Sequence, residues 1–399
     1  MESRMRLDKV LFLIAVSLVF FGLVMVFSAS YFRAELIYHK QPWYFLLRQS
    51  FAAVAGFLCL ILFSQINYRR FHTPGWAFGA LSGVLILLIV VYFADPVTHR
   101  WVRIGPFQFQ PSEYAKPALV LFLAWFVSAR APAVNHISTF GPAALVLSLL
   151  GGFVVIADLG TAVVLVVTAA VVLYVAGINR RYAKISMVAG ALCVVLAVAV
   201  KPFRVNRVIT FFDPTYRYLS LVDPGGVIRR YATGTATPRD TAYQARQSRI
   251  AVATGGVLGA GLMNGKQKLL YLPEPHTDFI FAIVGEELGL AGCSVLLAGF
   301  LAILWRGYRL YWLAADDFGR YLAIGITTCI VFQALMNITV VVGLAPTKGI
   351  PLPFISYGGS SLVSTLISVG ILLNISVWAV SEGRETGEQW AASKEPMPA

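Results

Sequence analysis

Charged residues are scarce in this chain of 399 residues, where Asp, Glu, Lys and Arg together make up 13%. Hydrophobic residues make up 58%, and the mean hydropathy is +0.74. A soluble domain of this length needs far more polar surface to remain in water. The composition therefore excludes a soluble protein and predicts an integral membrane protein with several spans.

Cysteine and histidine are also sparse, with four and five copies. The cysteines, Cys59, Cys193, Cys293 and Cys329, all lie within apolar runs. Such positions are typical of small core residues and not of a disulfide framework or a metal site. The histidines are scattered, and the sequence contains no zinc motif, P-loop or nucleotide fingerprint. No motif therefore indicates a resident metal or nucleotide.

Apolar runs of membrane-spanning length recur along the chain. The ten runs lie at 8–30, 47–66, 75–94, 114–129, 140–157, 160–178, 185–201, 278–305, 320–344 and 358–381. They predict an all-α polytopic membrane protein with ten transmembrane helices. Its expected parts are a cytoplasmic N-terminus at 1–7, a membrane domain at 8–381 and a cytoplasmic tail at 382–399. The membrane domain includes one large extracytoplasmic loop, 202–277, between helices 7 and 8.

The connections between the runs differ in charge. With a cytoplasmic N-terminus, the loops that carry Arg69, Arg130, Arg180 and Arg320 lie inside, as the positive-inside rule prefers. The loop 202–277 is also basic, and loops of this length cross the membrane regardless of charge. The outer surface is then basic in a chain of net charge +13. This favours an anionic substrate presented from the outer leaflet or, alternatively, a loop lying on anionic headgroups.

Two prolines, Pro273 and Pro275, precede the eighth apolar run. They force their neighbours out of helical geometry, and Thr277 is an acceptable cap, so a helix is expected to begin at Thr277 or Asp278. Asp278 then lies at the boundary between water and lipid. It is either a first-turn acid favoured by the helix dipole or a general base at the mouth of a cavity.

Glu286 and Glu287 lie about two helical turns farther along, within the apolar run. An acid at mid-membrane costs roughly 2.5–3.5 kcal/mol. Adjacent residues on a helix point about 100° apart, so the two acids need several helices around them. We expect both to face a bundle interior or a watery cavity, and pairing with a buried base is the simpler alternative.

Other unusual residues fall in loops on the same predicted outer face. These are Arg100-Trp101, Gln110-Pro111-Ser112-Glu113 with Lys116, Asp158-Leu159-Gly160-Thr161, and the Pro- and Gly-rich stretch from Pro346 to Ser361. Irregular backbone at membrane depth is tolerated only where it is buried in protein or lines a cavity. The pair Glu113 and Lys116 is also compatible with a plain ion pair along one helix.

These motifs, together with the stretch from Tyr271 to Gly289, resemble those of the SEDS family (shape, elongation, division and sporulation). The resemblance spans the chain from helix 1 to helix 10. The sequence at 272–282 and at 346–349 is more similar to the division branch than to the elongation branch. Three features depart from the family pattern: Ile156-Ala157 before Asp158, Gln108 where a basic residue is common, and extra length between Pro214 and Tyr243.

The resemblance implies an inverting peptidoglycan glycosyltransferase that polymerises lipid II at the outer face of the bacterial cytoplasmic membrane. It implies a class B penicillin-binding protein and other division proteins as partners at the septum, and no nucleic acid. Asp278 matches the family's essential aspartate, while Arg100 and Lys116 match basic positions of its cavity.

Further residues are candidates for the same cavity. Arg246, Arg249 and Lys348 are expected, with Arg100 and Lys116, to bind the diphosphate, and a divalent cation, Mg²⁺ or Mn²⁺, could assist. Residues expected to support the cavity are Glu113, Asp158, Glu274, His276, Glu286, Glu287, Ser356 and Ser360.

Two other functions are compatible with ten helices and intramembrane charges. One is a lipid flippase, although its transport path should place comparable polar features on both faces. The other is a non-catalytic scaffold for division proteins. The extra length between Pro214 and Tyr243 has no apolar periodicity, so we expect it to be a mobile surface excursion.

Overall fold

The structure, a computed structural model, describes residues 7–96, 98–104, 107–130, 135, 137–213, 217–233 and 238–392. The first seven helices are α1 (Lys9–Leu36), α2 (Tyr44–Gln65), α3 (Pro74–Ala94), α4 (Pro111–Ser128), α5 (Ile137–Ala157), α6 (Leu159–Val175) and α7 (Arg180–Ala199). Four shorter helices follow: α8 (Pro202–Phe212), α9 (Arg217–Val222), α10 (Val227–Thr233) and α11 (Pro238–Thr254). The last three are α12 (Ile280–Leu313), α13 (Asp317–Val341) and α14 (Gly359–Ala392). An antiparallel hairpin, β1 (Val102–Ile104) with β2 (Phe107–Phe109), precedes α4.

Each predicted apolar run coincides with one of the helices α1–α7 and α12–α14. Among the described residues, eight helices are long and apolar enough to cross a membrane. Helix α6 is shorter, and α4 carries the charged pair Glu113 and Lys116. The all-α membrane fold is confirmed, whereas ten crossings remain a prediction. Helix α14 continues to Ala392, past the expected end of the membrane domain at 381.

Helices α13 and α14 form the centre of the bundle. In the most apolar stretch of α14, 78% of residues are buried, against none in the corresponding stretch of α7. Helix α14 packs along α2, and α13 packs against α12, α4 and α6. Helix α7 contacts α6 and α8 and exposes apolar side chains that include Val188, Leu192 and Val195. It therefore lies at the periphery, with most of its surface available to lipid.

The connections fall into two groups at opposite ends of the bundle. At one end, which we call the loop-rich end, lie the hairpin, the helices α8–α11, the segment 255–279 and the segment 342–358. The connections at the other end that the structure describes in full are short: 66–73, 176–179 and 314–316. Irregular backbone is thus concentrated at one end, as the sequence predicts.

Helix α12 begins at Ile280, so the predicted start at Thr277 or Asp278 is wrong. Its N-cap residue, Phe279, makes no side-chain cap, and residues 275–279 form turns. Carbonyl groups of this turn accept hydrogen bonds from other elements of the bundle. Those contacts hold residues 277 and 278 in a turn, so the helix begins after them.

The extra length between Pro214 and Tyr243 is not wholly irregular, because its described residues include α9 and α10. Two carboxylates begin these helices by accepting hydrogen bonds from backbone N–H groups. Asp213 binds the N–H groups of Arg217 and Leu219, and Asp223 binds those of Val227 and Arg229. Local capping provides helical structure that apolar periodicity does not reveal. The mobility of this excursion stays a prediction.

Candidate active site

The candidate site is built on the turn 275–279 that precedes α12. Three successive carbonyl groups of this turn accept hydrogen bonds from outside it. Asn337 Nδ2 donates to the Asp278 carbonyl at 2.8 Å, and Ser356 Oγ donates to the Thr277 carbonyl at 2.5 Å. The Tyr357 N–H donates to the His276 carbonyl at 2.8 Å. The Asn337 amide also donates to the Ile350 carbonyl at 2.7 Å. Helix α13 and the segment 342–358 thus hold the turn in place.

The carboxylate of Asp278 is half-buried and lies against Gly349. A Cβ atom added at Gly349 would lie 2.6 Å from Asp278 Oδ2, so a larger residue there would force the carboxylate to shift. Burial raises the pKa of Asp278 to about 6, although Arg100 favours the ionised form, and the nearby Asp158 carboxylate adds to the rise.

Cations gather around the neighbouring carboxylate of Asp158. Five cations lie in electrostatic range of it: Arg100, Lys116, Arg204, Arg207 and Lys348. Arg100 Nη2 lies 3.6 Å from Asp158 Oδ2. Burial, reinforced by the three arginines, lowers the pKa of Lys348 to about 8. Lys116 is paired with Glu113, and Glu274, which also acts on Asp278, is paired with Arg33. The remaining groups, which we call the cation cluster, are Arg100, Arg204, Arg207 and Lys348 with Asp158 and Asp278. Four basic groups against two acidic ones suit a ligand with more than one negative charge.

Two of these charges also hold helices together. Arg204 donates from Nη1 to the Ala197 carbonyl at 2.9 Å and from Nη2 to the Val155 carbonyl at 2.5 Å. It therefore joins α8 to the last turns of α7 and α5. Asp158 begins α6 by accepting from the Gly160 N–H at 2.8 Å and from Thr161 Oγ1 at 2.9 Å. The backbone geometry of the site and its electrostatics thus depend on the same residues.

Lys116 is buried in α4 and makes the ion pair expected from its spacing to Glu113. Its Nζ lies 2.7 Å from Glu113 Oε2 and also donates to Gln333 Oε1 at 2.5 Å. The Gln333 amide in turn donates to the Pro351 carbonyl at 2.8 Å. Lys116 of α4 is therefore connected through Gln333 of α13 to the segment 342–358. Its ion pair with Glu113 is part of that connection.

Two serines of α14 bind the start of α4. Ser360 Oγ accepts from the Gln110 N–H at 3.0 Å. Pro117 has no N–H to bond the Glu113 carbonyl one turn earlier. Ser364 Oγ donates to that carbonyl at 2.8 Å instead. Ser360, predicted to support the cavity, thus helps to fix the entry of α4, and Ser364 is a supporting residue that sequence reasoning missed.

Glu287 pairs with a buried base, which was the simpler alternative in the sequence. Lys268 Nζ lies 2.6 Å from Glu287 Oε1, and both side chains are fully buried. Ser28 Oγ of α1 donates to the same carboxylate, as does the Met263 N–H at 3.1 Å. The carboxylate thus joins α12 to α1 and to the segment 255–268.

Glu286 is also buried and binds backbone rather than a cation. It accepts from the N–H groups of Lys266 at 2.6 Å and Gln267 at 3.1 Å. Helix α12 is interrupted nearby at Gly289, where φ is +63°. The segment 255–268 supplies hydrogen bonds that the interrupted helix cannot make, among them one from the Leu290 N–H to the Gly256 carbonyl. Both glutamates face the bundle interior, as predicted.

Glu274 and His276 lie on the side of the turn toward α1 and α2. Glu274 Oε1 lies 2.7 Å from Arg33 Nη2. His276 is buried, with its ring centroid 4.5 Å from that of Phe45 and 5.5 Å from that of Tyr357. Burial, with a smaller effect of Arg33, lowers the pKa of His276 to about 3, so the ring is neutral at physiological pH. Both residues therefore pack and orient the turn.

Arg246 and Arg249 are exposed on α11, and neither is among the main groups that shift the pKa of Asp278. Of the basic residues in the predicted loop 202–277, Arg207 of α8 is the one that acts on the Asp278 carboxylate. Sequence reasoning included the basic residues of 202–277 as a group without singling out Arg204 and Arg207, and it missed Asn337. A signal for the arginines was present, because the polar residues of 202–212 recur at helical spacing after Pro202, a favourable first helical residue.

The fold and the site define a class: a polytopic membrane protein with a buried carboxylate and an excess of cations at one end of its bundle. The model of the cell cycle protein family, which comprises FtsW, RodA and SpoVE, matches residues 8–380. The chain belongs to this family, and the resemblance read from its motifs is confirmed.

Individual relatives are similar over nearly the whole chain. The probable peptidoglycan glycosyltransferase FtsW of Geobacter metallireducens is 40% identical over 378 residues, which cover 93% of this chain and 95% of the relative. The stage V sporulation protein E of Bacillus subtilis is 35% identical, with 92% and 96% covered.

Solved structures agree with the fold. One is a chain from "Structural coordination of polymerization and crosslinking by a peptidoglycan synthase complex", with a TM-score of 0.71 and 28% identity over 94% of this chain and 98% of that chain. The rod shape determining protein RodA of Thermus thermophilus has a TM-score of 0.66 and 25% identity, with 94% and 97% covered.

The buried pair Lys268 and Glu287 gives a prediction about stability. Lys268→Met leaves the Glu287 carboxylate buried without a cation, and breaking a buried pair costs about 3–5 kcal/mol. We expect a clearly lower midpoint of thermal unfolding in detergent. The double variant Lys268→Met/Glu287→Gln removes both charges and should recover most of the midpoint. A single variant as stable as the parental protein would show that the pair does not hold the segment 255–268.

Proposed function

We propose that this chain is a peptidoglycan glycosyltransferase that polymerises lipid II into glycan strands. The observation that carries the proposal is the Asp278 carboxylate, with its pKa of about 6, beside an excess of cations. Such a pair of features supplies a base and an anion-binding surface at one place. Membership of the FtsW, RodA and SpoVE family supports the same activity, which the names of several relatives state.

Asp278 acts in the proposed reaction as the general base. The terminal sugar hydroxyl of the acceptor lies beside its carboxylate and attacks the anomeric carbon of the donor. As the new C–O bond forms, the hydroxyl proton passes to Asp278, which contributes about 10²–10⁴-fold to the rate. The bond from the anomeric carbon to the diphosphate breaks, and the diphosphate leaves with the electron pair. A single displacement of this kind inverts the anomeric centre.

The departing diphosphate gains negative charge and needs cations fixed near it before the reaction. Arg100, Arg207 and Lys348 are the residues we assign to this role, while Arg204 is engaged with helix ends. Arg246 and Arg249, exposed on α11, are not retained for it.

A divalent cation does not fit the side chains around Asp278 well. Within the described ranges, no three His, Cys, Asp or Glu side chains gather as ligands. The acids nearest the site are surrounded by arginine and lysine, which compete with a metal ion for the carboxylate oxygens. The proposed reaction therefore includes no step that depends on a metal ion.

We further propose that the loop-rich end faces outward from the cytoplasmic membrane, with both termini in the cytoplasm and the protein at the division septum. The positive-inside distribution supports this orientation. A class B penicillin-binding protein is the proposed partner, because one structural neighbour belongs to a peptidoglycan synthase complex.

A flippase is the main alternative of a different class. Its path should carry comparable polar groups toward both ends, whereas the cation cluster and the irregular segments lie at the loop-rich end. A scaffold for division proteins has no need of a base among cations. The distribution of charge therefore favours the polymerase.

Asp278→Asn provides the first test. The change keeps the size of the side chain but removes the basic oxygen, so polymer formation from lipid II should be lost with little change in folding. The measurement is polymer yield in detergent with the partner present, where transport between compartments cannot limit the outcome. Equal polymer from both proteins would count against Asp278 as the base, and none from either would count against the polymerase.

The pH dependence of the rate provides a second test. A base accepts a proton only when ionised, so the rate should fall as the pH drops through about 6, the pKa of Asp278. Arg100 favours the ionised form of Asp278, so the residual activity of Arg100→Gln should begin to fall at a higher pH than that of the parental protein. A fall in rate centred near the ordinary carboxyl pKa of about 4 would contradict the assignment of Asp278 as the base.

Two arginines of the segment 202–277 provide a matched comparison. Arg207→Ala should lower the polymerisation rate by about tenfold to a hundredfold, because a charge-assisted hydrogen bond contributes about 1.5–3 kcal/mol. Arg246→Ala, at an exposed position on α11, should leave the rate unchanged. Initial rates and unfolding midpoints are measured for both variants. Equal losses would mean that overall positive charge matters and that the position of Arg207 does not.

A further inference from the structure

Helix α8 turns its polar side toward the protein. Arg204, Asn206 and Thr210 are buried, whereas Phe203 and Phe212 are exposed, Phe212 to 74%. A helix on a surface in contact with water has the opposite arrangement, with its apolar residues turned inward. The outward face of α8 is therefore matched to an apolar environment.

This outward apolar surface continues over α9 and α10. Its exposed apolar and aromatic residues are Tyr218, Leu221, Val227, Ile228 and Tyr231. Exposed arginines lie among them: Arg217, Arg229 and Arg230. The nearby acid Asp223 accepts from backbone N–H groups of α10 and lies in electrostatic range of Arg230, which also donates to the Gly225 carbonyl at 2.8 Å. Apolar and aromatic side chains interleaved with arginine are typical of helices that lie in the boundary between headgroups and acyl chains.

The depth of this surface is set by a contact with α7. The Tyr231 hydroxyl lies 2.9 Å from the Ala199 carbonyl and 3.0 Å from the Val200 carbonyl, at the end of α7. Most of α7 exposes apolar side chains, as a lipid-facing helix does. Helix α10 therefore lies at the level where α7 leaves the hydrocarbon, and the apolar surface of α7 continues into that of α8.

We propose that the outward faces of α8, α9 and α10 form a lipid-binding platform. Its apolar residues, from Phe203 to Tyr231, enter the headgroup boundary of the leaflet at the loop-rich end. Its three arginines, Arg217, Arg229 and Arg230, bind the phosphates of anionic phospholipids. The partner is the bilayer itself, and the platform lies outside the residues assigned to the reaction.

The depth of the platform is tested on the full chain in lipid nanodiscs, with the four native cysteines replaced by alanine. A nitroxide is attached at Leu221→Cys, which replaces a side chain exposed to 77%. Its relaxation by a water-soluble nickel complex and by oxygen is compared with Leu192→Cys on α7 and with Lys40→Cys in the exposed loop after α1. The platform predicts values between those at Leu192, deep in the hydrocarbon, and those at Lys40. Values like those at Lys40 would place Leu221 in water and overturn the proposal.

The arginines are tested by the retention of phosphatidylglycerol on the purified protein, counted by native mass spectrometry. The triple variant Arg217→Ala/Arg229→Ala/Arg230→Ala should retain fewer phosphatidylglycerol molecules than the parental protein, and the corresponding triple lysine variant should retain as many. Equal retention by the alanine variant would overturn the headgroup role. Neither measurement depends on polymerisation, so both remain decisive if the proposed glycosyltransferase activity fails its own tests.

Discussion

Three peptide carbonyls ahead of α12 have no helical partner, and the rest of the site depends on the donors that satisfy them. A buried carbonyl without a hydrogen bond costs about 1–3 kcal/mol. The donors come from α13 through Asn337 and from the segment 342–358 through Ser356 and Tyr357. Because the turn is bound from two directions, the Asp278 carboxylate is fixed by the bundle and meets Gly349 without an intervening side chain.

Charge follows a different rule at the site than in the rest of the described bundle. Elsewhere, several buried charges occur as one-to-one pairs, such as Lys116 with Glu113, Lys268 with Glu287, and Arg306 with Asp8, while the buried acid Glu286 binds backbone N–H groups. Such pairs neutralise each other and connect helices. Around Asp158 and Asp278 the cations are in excess, and that excess is unfavourable in an apolar bundle unless water or an anion balances it. The imbalance supports the proposal that this cluster binds an anion, while the balanced pairs connect helices.

The sequence predicts the parts of this fold that depend on local pattern. Apolar run length predicts the long helices, and Pro273 with Pro275 predicts a break in helical structure shortly before α12. The start of α12 could not be predicted, because it depends on donors from Asn337 and Ser356, far along the chain. The same limit applies to Lys268 as the partner of Glu287 and to the choice of Arg207 over Arg246. Each of these requires the path of the segment 202–277, which composition alone does not determine.

Helix α8 joins the two surfaces on which the proposed chemistry depends. Its inner side carries Arg204 and Arg207 toward the cation cluster, and its outer side carries Phe203 and Phe212 toward lipid. The diphosphate of a lipid-linked substrate lies at the headgroup boundary, where the link of α10 to the end of α7 also places α8. The donor could therefore reach the cations without leaving the membrane, since its polyprenyl chain remains in the hydrocarbon while its diphosphate enters beside α8. The need for arginines at this depth explains why α8, whose polar side faces inward, borders the site.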